Sequence, residues 1–220
     1  MKLALWQPTD ESDQTIRECL HDFGDDVLAA TWKGADRTGG VREDQQAYAR
    51  LKELAFKDDL TCLHNRHFFS IRLEEEVSRH RHRKKPASVV LLDLDNLKSV
   101  NDDLGYAAGD ATLRGMAEIL LKHTRAGNLP CRYGGDRFAV LLVETSKAGA
   151  RLYADRIRDA LCSRQFAHGR RVTASFGIAS LPESAIPSAD GLIQAADEAL
   201  YTAKRAGKNR IAVYEVKPHE

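Results

Sequence analysis

Two carboxylates with unlike surroundings mark where chemistry can take place. Asp93 lies near the end of the apolar run SVVLLDL (residues 88–94), and Asp136 follows the glycine pair Gly134-Gly135. If the two segments run side by side, both acids meet at one rim and offer hard oxygen ligands suited to Mg²⁺. The backbone from Asp93 through Leu94 and Asn96 to Leu97 can then present amide N–H groups to a phosphate, with Lys98 nearby. Taken alone, the same residues also read as strand-end caps and turn residues, common posts for carboxylates.

The elements that must position these acids follow from periodicity. Residues 88–94 form a continuous apolar run of strand length, as expected for a strand buried on both faces. Strands over 130–133 and 137–143 flank Gly134-Gly135, and paired glycines accept the positive φ of a tight hairpin. Asp58 predicts a helix start ahead of LTCLHNR, and Phe69, Leu73 and Val77 supply an apolar stripe to a helix ending in RHRHRKK. That basic run suits a helix C-terminus, so a solvated helix end is favoured over nucleic-acid binding. A helix is expected after Asp110, with Leu113, Met116, Ala117 and Leu120 on one face. Helices over 147–161 and 190–205 and strands over 172–179 and 211–214 complete an α+β pattern.

Residues 1–56 differ from the rest. A strand over 1–6, a helix over 10–23 and a strand over 27–31 loosely resemble the opening of a response-regulator receiver domain, although the segment is too short for that whole fold. An unrelated docking segment is the alternative. Residues 33–44 read as a linker, and 43–57 as a helix that either pairs two chains as a stalk or packs on its own domain.

Composition narrows the function classes. The 220 residues carry 33 Lys+Arg against 32 Asp+Glu, a formal net charge of +1, and 43% are hydrophobic. A balance this close to neutral lacks the broad field of a non-specific nucleic-acid or membrane-surface binder. No run approaches the roughly 18 apolar residues of a membrane span, and the start turns acidic too early for a signal peptide. The cysteines Cys19, Cys62, Cys131 and Cys162 show no metal-ligand spacing. A cytoplasmic protein is expected.

Five segments occur in one order: DDLTCLHNR (58–66), DLDNLKSVNDDLGYAAGD (93–110), RYGGDRF (132–138), VTASFGIAS (172–180) and ADEALYTAKRAGKN (196–209). Together they resemble the GGDEF-domain diguanylate cyclases over about residues 57–215. The resemblance implies a polymerase-palm-like α+β fold with a central, mostly antiparallel sheet flanked by helices. It also implies a signalling enzyme in which two domains, each holding one GTP and Mg²⁺ or Mn²⁺, form cyclic di-GMP and release pyrophosphate.

Carried onto matching positions, the resemblance makes Asp93, Asp136 and the Leu94 carbonyl the metal ligands. Asn101 and Asp110 would read the guanine edge, and Asn96, Leu97, Lys98, Gly134 and Gly135 would surround the phosphates. Lys204 and Lys208 would neutralise the triphosphate. The implied partners are GTP, cyclic di-GMP as product or ligand, and a second GGDEF domain in a homodimer or heterodimer.

The sequence departs from the family at a catalytic position. Arg137 stands where the signature normally has Glu, a local change of two charge units that disfavours a second metal if the guanidinium points inward. It can instead swing outward or clamp the triphosphate. The alternative function is therefore a degenerate GGDEF domain that senses GTP or cyclic di-GMP, or docks a protein. Tyr106, Leu97, Cys62 and Lys208 replace the usual His, Phe, Gly and Arg. The family's inhibitory Arg-x-x-Asp appears as Arg125-Ala-Gly-Asn128, which retains the arginine and loses the carboxylate.

Overall fold

A computed structural model of the chain describes residues 55–182 and 188–215. The chain divides after Lys57, and the fold described here is that of the unit beginning at Asp58. The elements expected over residues 1–31, the linker and nearly all of the 43–57 helix lie outside the described residues.

The helix start expected at Asp58 is not there, and its carboxylate closes a turn instead. Its Oδ1 accepts from the Thr61 amide at 2.9 Å and the Thr61 hydroxyl at 2.6 Å, while the Cys62 amide returns to the Asp58 carbonyl at 2.8 Å. Cys62 then sits at φ 58°, a left-handed conformation that glycine adopts without a Cβ penalty. The helix begins later. A two-residue strand β1 (His64–Asn65) leads into α1 (Arg66–Arg83), capped by Asn65 accepting from the Phe68 amide at 3.0 Å. Phe69, Leu73 and Val77 are its buried stripe, and Lys84 ends it in the left-handed region after a basic last turn.

The next strand, β2 (Ala87–Leu94), is buried at all eight positions. Two helices follow where one was expected. The first, α2 (Leu97–Leu104), buries Leu97 and Val100; the second, α3 (Tyr106–His123), begins four residues before Asp110, across Gly105 at φ 83°. The hairpin β3 (Leu129–Gly134) and β4 (Arg137–Val143) comes next, then α4 (Lys147–Ser163), β5 (Ala174–Leu181), α5 (Ala189–Arg205) and β6 (Ile211–Val213). The expected strand over 172–179 is thus displaced by two residues toward the C-terminus.

The six strands form one sheet in the order β1-β3-β4-β2-β5-β6. The three inner pairings are antiparallel, and β1 and β6 add parallel edges. Strand alternation splits the core into two layers. Val90, Leu92 and Leu94 of β2 join Phe138 and Val140 of β4 beneath α2, α3 and α4. Val89 and Leu91 join Ala139 and Leu141 against α1 and α5. Burying a phenylalanine such as Phe69 or Phe138 contributes about 1.5–3 kcal/mol, which fixes both helical layers to the central strands.

Candidate active site

The two acids meet. Antiparallel register places Asp93 of β2 opposite Arg137 of β4, and the Leu94 amide donates to the Asp136 carbonyl at 3.1 Å, fastening the end of β2 to the hairpin tip. The turn itself is Gly135-Asp136, closed by the pair Gly134 and Arg137, so one glycine rather than both occupies it. Gly135 supplies the positive φ (57°) that its first central position needs.

Asp93 is buried, and burial raises its carboxyl above the ordinary value near 3.8. A hydrogen bond from Lys204 opposes the shift, the Asp136 charge adds to it, and the Lys204 and Arg137 charges oppose it. Lys204 Nζ lies 2.6 Å from Asp93 Oδ2. By strand alternation Asp93 and Arg137 belong to the face covered by α5. That helix contributes a second partner two turns before Lys204: Arg137 Nη2 makes a short ion pair with Asp197 Oδ1. Helix α5 therefore sets an acid and a base against the base and acid of the strand ends.

On the opposite face a cavity of about 430 Å³ opens beside Asp136, which lines it together with Leu97, Lys98, Asn101, Tyr106 and Arg132. Asn101 Oδ1 is buried there without a hydrogen-bond partner. An unsatisfied buried acceptor is costly, so this oxygen would gain from a ligand N–H once the side chain turned from Gly109 toward the cavity. Helices α2 and α3 meet at Gly109, where an added Cβ would overlap Asn101 Oδ1. Asp110 lies outside the cavity lining, with its carboxylate 4.0 Å from Arg114.

Asn96 stands at the corner between β2 and α2 in the left-handed region (φ 59°), as do Lys208 and Asn209 in the loop after α5. Lys208 Nζ donates to Asn96 Oδ1 at 2.6 Å. Beneath them Asp95 accepts from the hydroxyls of Thr173 and Ser175, both at 2.7 Å, and from the Asn209 amide at 3.0 Å. This buried clasp binds the end of β2 to β5 and the loop after α5. Such clustering of strained backbone over a satisfied carboxylate is typical of functional corners.

Among the described residues no group of three or more His, Cys, Asp or Glu side chains could hold a metal ion. Two carboxylates with phosphate oxygens completing the shell fit Mg²⁺ better than a closed structural metal.

Residues 55–210 match the family model described as "Diguanylate cyclase, GGDEF domain". The chain belongs to the GGDEF family. It is 41% identical over 165 residues to the response regulator PleD of Caulobacter vibrioides, covering 72% of this chain and 36% of that protein. It is 34% identical over 185 residues to diguanylate cyclase DgcP of Pseudomonas aeruginosa, covering 81% and 27%. The chain thus spans about a third or less of the length of these relatives. Among solved structures, the coiled coil and GGDEF domain of DgcB from Caulobacter crescentus in complex with c-di-GMP superposes with a TM-score of 0.73. That match has 26% identity and covers 79% of this chain and 93% of that one. Diguanylate cyclase SiaD in complex with its activator SiaC from Pseudomonas aeruginosa gives 0.69 at 29% identity, covering 92% and 77%. The expected α+β palm-like architecture is the fold of this GGDEF domain.

A contributor that sequence reasoning passed over is Arg132. Its guanidinium donates to the Gly135 carbonyl and lies 3.7 Å from Asp58. Burial lowers its pKa while Asp58, Asp110 and Asp136 push back. The available signal was alternation: Arg132 opposes Phe138 in the hairpin, on the cavity face.

Arg125 and Asn128, where the resemblance implied an inhibitory site, lie by the far end of β4. Arg125 donates to the Val143 carbonyl at 2.9 Å and the Thr145 hydroxyl at 3.1 Å, and the Val143 amide donates to Asn128 Oδ1 at 3.0 Å. Both side chains therefore fasten this GGDEF domain's own backbone. They border a cavity of about 470 Å³ that also reaches Lys122, Tyr153 and Arg156.

Proposed function

We propose that this domain binds GTP with Mg²⁺ or Mn²⁺ and that two such domains, facing one another, condense two GTP into cyclic di-GMP and pyrophosphate. The observation that carries the reading is the meeting of Asp93 and Asp136 at one rim, beside a cavity holding the unpartnered Asn101 oxygen. Bound metal would be held by Asp93, Asp136 and the Leu94 carbonyl, and it would supply charge stabilisation at the reacting phosphate. Asn101 accepts from a guanine N–H, and Asp110, outside the cavity lining in the nucleotide-free domain, is the second acceptor the resemblance implies. Adenine lacks the matching donors, which sets the base preference. Amides at Asn96 and Leu97, with Lys98, Lys208 and the Gly134-Gly135 backbone, border the triphosphate. Lys204 leaves Asp93 to join them.

In each transfer the 3′-hydroxyl oxygen of one nucleotide loses its proton to solvent and bonds to the α-phosphorus of the other while the bond from that phosphorus to the α–β bridging oxygen breaks, and pyrophosphate carries away the electron pair. Positioning and charge supply most of the catalysis. The second domain comes from a homodimer or from another GGDEF protein, in a cytoplasmic setting, under control of residues 1–56.

One observation favours the second reading, a degenerate domain that binds GTP or cyclic di-GMP without turnover. Arg137 replaces the signature Glu and is engaged with Asp197. Incubation with GTP and Mg²⁺, resolved by mass, separates the two. A cyclic dinucleotide that disappears in Asp136→Asn supports the cyclase. Its absence at high protein concentration, with GTP affinity retained, supports the sensor.

A further inference from the structure

We propose that Asp197 is a positioning residue that holds Arg137 clear of the metal-binding carboxylates, and so permits nucleotide binding by a GGDRF signature. The inference rests on the nucleotide-binding reading above and adds to it a residue outside the signature.

The geometry carries it in three steps. Arg137 is the cross-strand neighbour of Asp93, so its Cβ starts within about 5.5 Å of the acid that would hold the metal. A guanidinium with long, flexible reach at that place would pair with the nearest anion in its way. Asp93 and Asp136 are both near, since the charges of Asp136 and Arg137 are felt at Asp93. The carboxylate that Arg137 meets instead is Asp197, on α5.

Lys204, seven residues on along the same helix, occupies Asp93. Residues two turns apart share a helix face, so α5 presents Asp197 and Lys204 in the order that complements Arg137 and Asp93. The two pairs are not equivalent. Asp93 is almost enclosed, with its side chain 6% exposed, whereas Arg137 and Asp197 are 34% and 53% exposed. An exposed pair contributes little to stability. Its effect is on direction: it determines where a positive charge stays when a cation approaches. A unit charge brought to about 5 Å from a metal, at an effective dielectric near 20, weakens binding by well over tenfold, and solvent exposure reduces this to roughly three- to tenfold.

The test uses the full chain, Mn²⁺ and 3′-deoxy-GTP, which binds but lacks the hydroxyl needed for condensation. The Mn²⁺ resonance signal and nucleotide affinity are measured for wild type, Asp197→Ala, Asp197→Asn, Arg137→Ala and Arg137→Ala/Asp197→Ala, with thermal unfolding followed on each. The expected result is a three- to tenfold weaker Mn²⁺-dependent affinity in both Asp197 variants, diminishing with added salt. In the Arg137→Ala background, Asp197→Ala has no further effect. Unchanged affinity in the Asp197 variants, or a loss that persists when Arg137 is absent, overturns the proposal and makes Asp197 a structural residue of α5. Failure of wild type to bind Mn²⁺ and 3′-deoxy-GTP removes the underlying nucleotide reading, and the positioning role goes with it.

Discussion

At the scale of single residues, Asp93 couples stability to function in opposite senses. Burial holds its folded-state pKa above the ordinary 3.8. Between the unfolded and folded values the native state binds more protons, so this group's contribution to stability falls as pH rises through that window and its penalty is complete above it. The proposed metal binding needs the ionised form and would strengthen over the same range. Asp93→Asn should therefore leave the metal-free protein at least as thermally stable as wild type at pH 7–8, while abolishing the rise in Tm that Mg²⁺ and GTP produce together. A variant that melts markedly lower without ligand would show that the Lys204 pair outweighs the burial cost. The two acids and the fold around them were legible because a buried strand and a glycine turn leave strong local signals. The Arg137–Asp197 pair was not, since its partners lie 60 positions apart and only the packing of α5 on the sheet joins them.

Elements determine how finely those residues are placed. Asp58 was expected to open a helix and does not, because the same side-chain-to-amide bond closes a turn as readily, and the helix waits for Asn65. Helix α2 was illegible for a different reason. At eight residues it is too short to persist on propensity, and it exists because Leu97 and Val100 pack into the core layer shared with α3. Its contact with α3 at Gly109 governs Asn101. Gly109→Ala should displace that side chain and reduce GTP affinity about tenfold, the equivalent of one lost hydrogen bond of roughly 1.4 kcal/mol, with a smaller change in unfolding free energy because alanine favours the helix. Calorimetric titration beside denaturant unfolding distinguishes local displacement from general loosening. Asp95→Ala acts on the neighbouring corner. Losing an acceptor shared by Thr173, Ser175 and Asn209 should cost about 2–4 kcal/mol by urea denaturation. A loss below 0.5 kcal/mol would show that the clasp is replaced by water.

At the scale of the folded domain, the proposed reading puts one nucleotide at the rim of Asp93 and Asp136, which is half of what the proposed condensation requires. Turnover per chain should consequently climb with protein concentration until dimers saturate; a rate proportional to concentration from the nanomolar range upward would mean preassembled pairs, and a cyclic product from demonstrably monomeric protein would refute the two-domain scheme. No helix among the described residues is long and apolar enough to cross a membrane. The rim and the basic cavity around Arg125 stand at opposite ends of the seven-residue strand β4 and are so separated by about 20 Å. Asp93 itself is the penultimate residue of β2, one of the two central strands, whose every residue is enclosed. Fraying at the periphery consequently leaves the acid's foundation untouched, and the capacity to grip a ligand should vanish in one step with the melting of the sheet rather than ebb away beforehand.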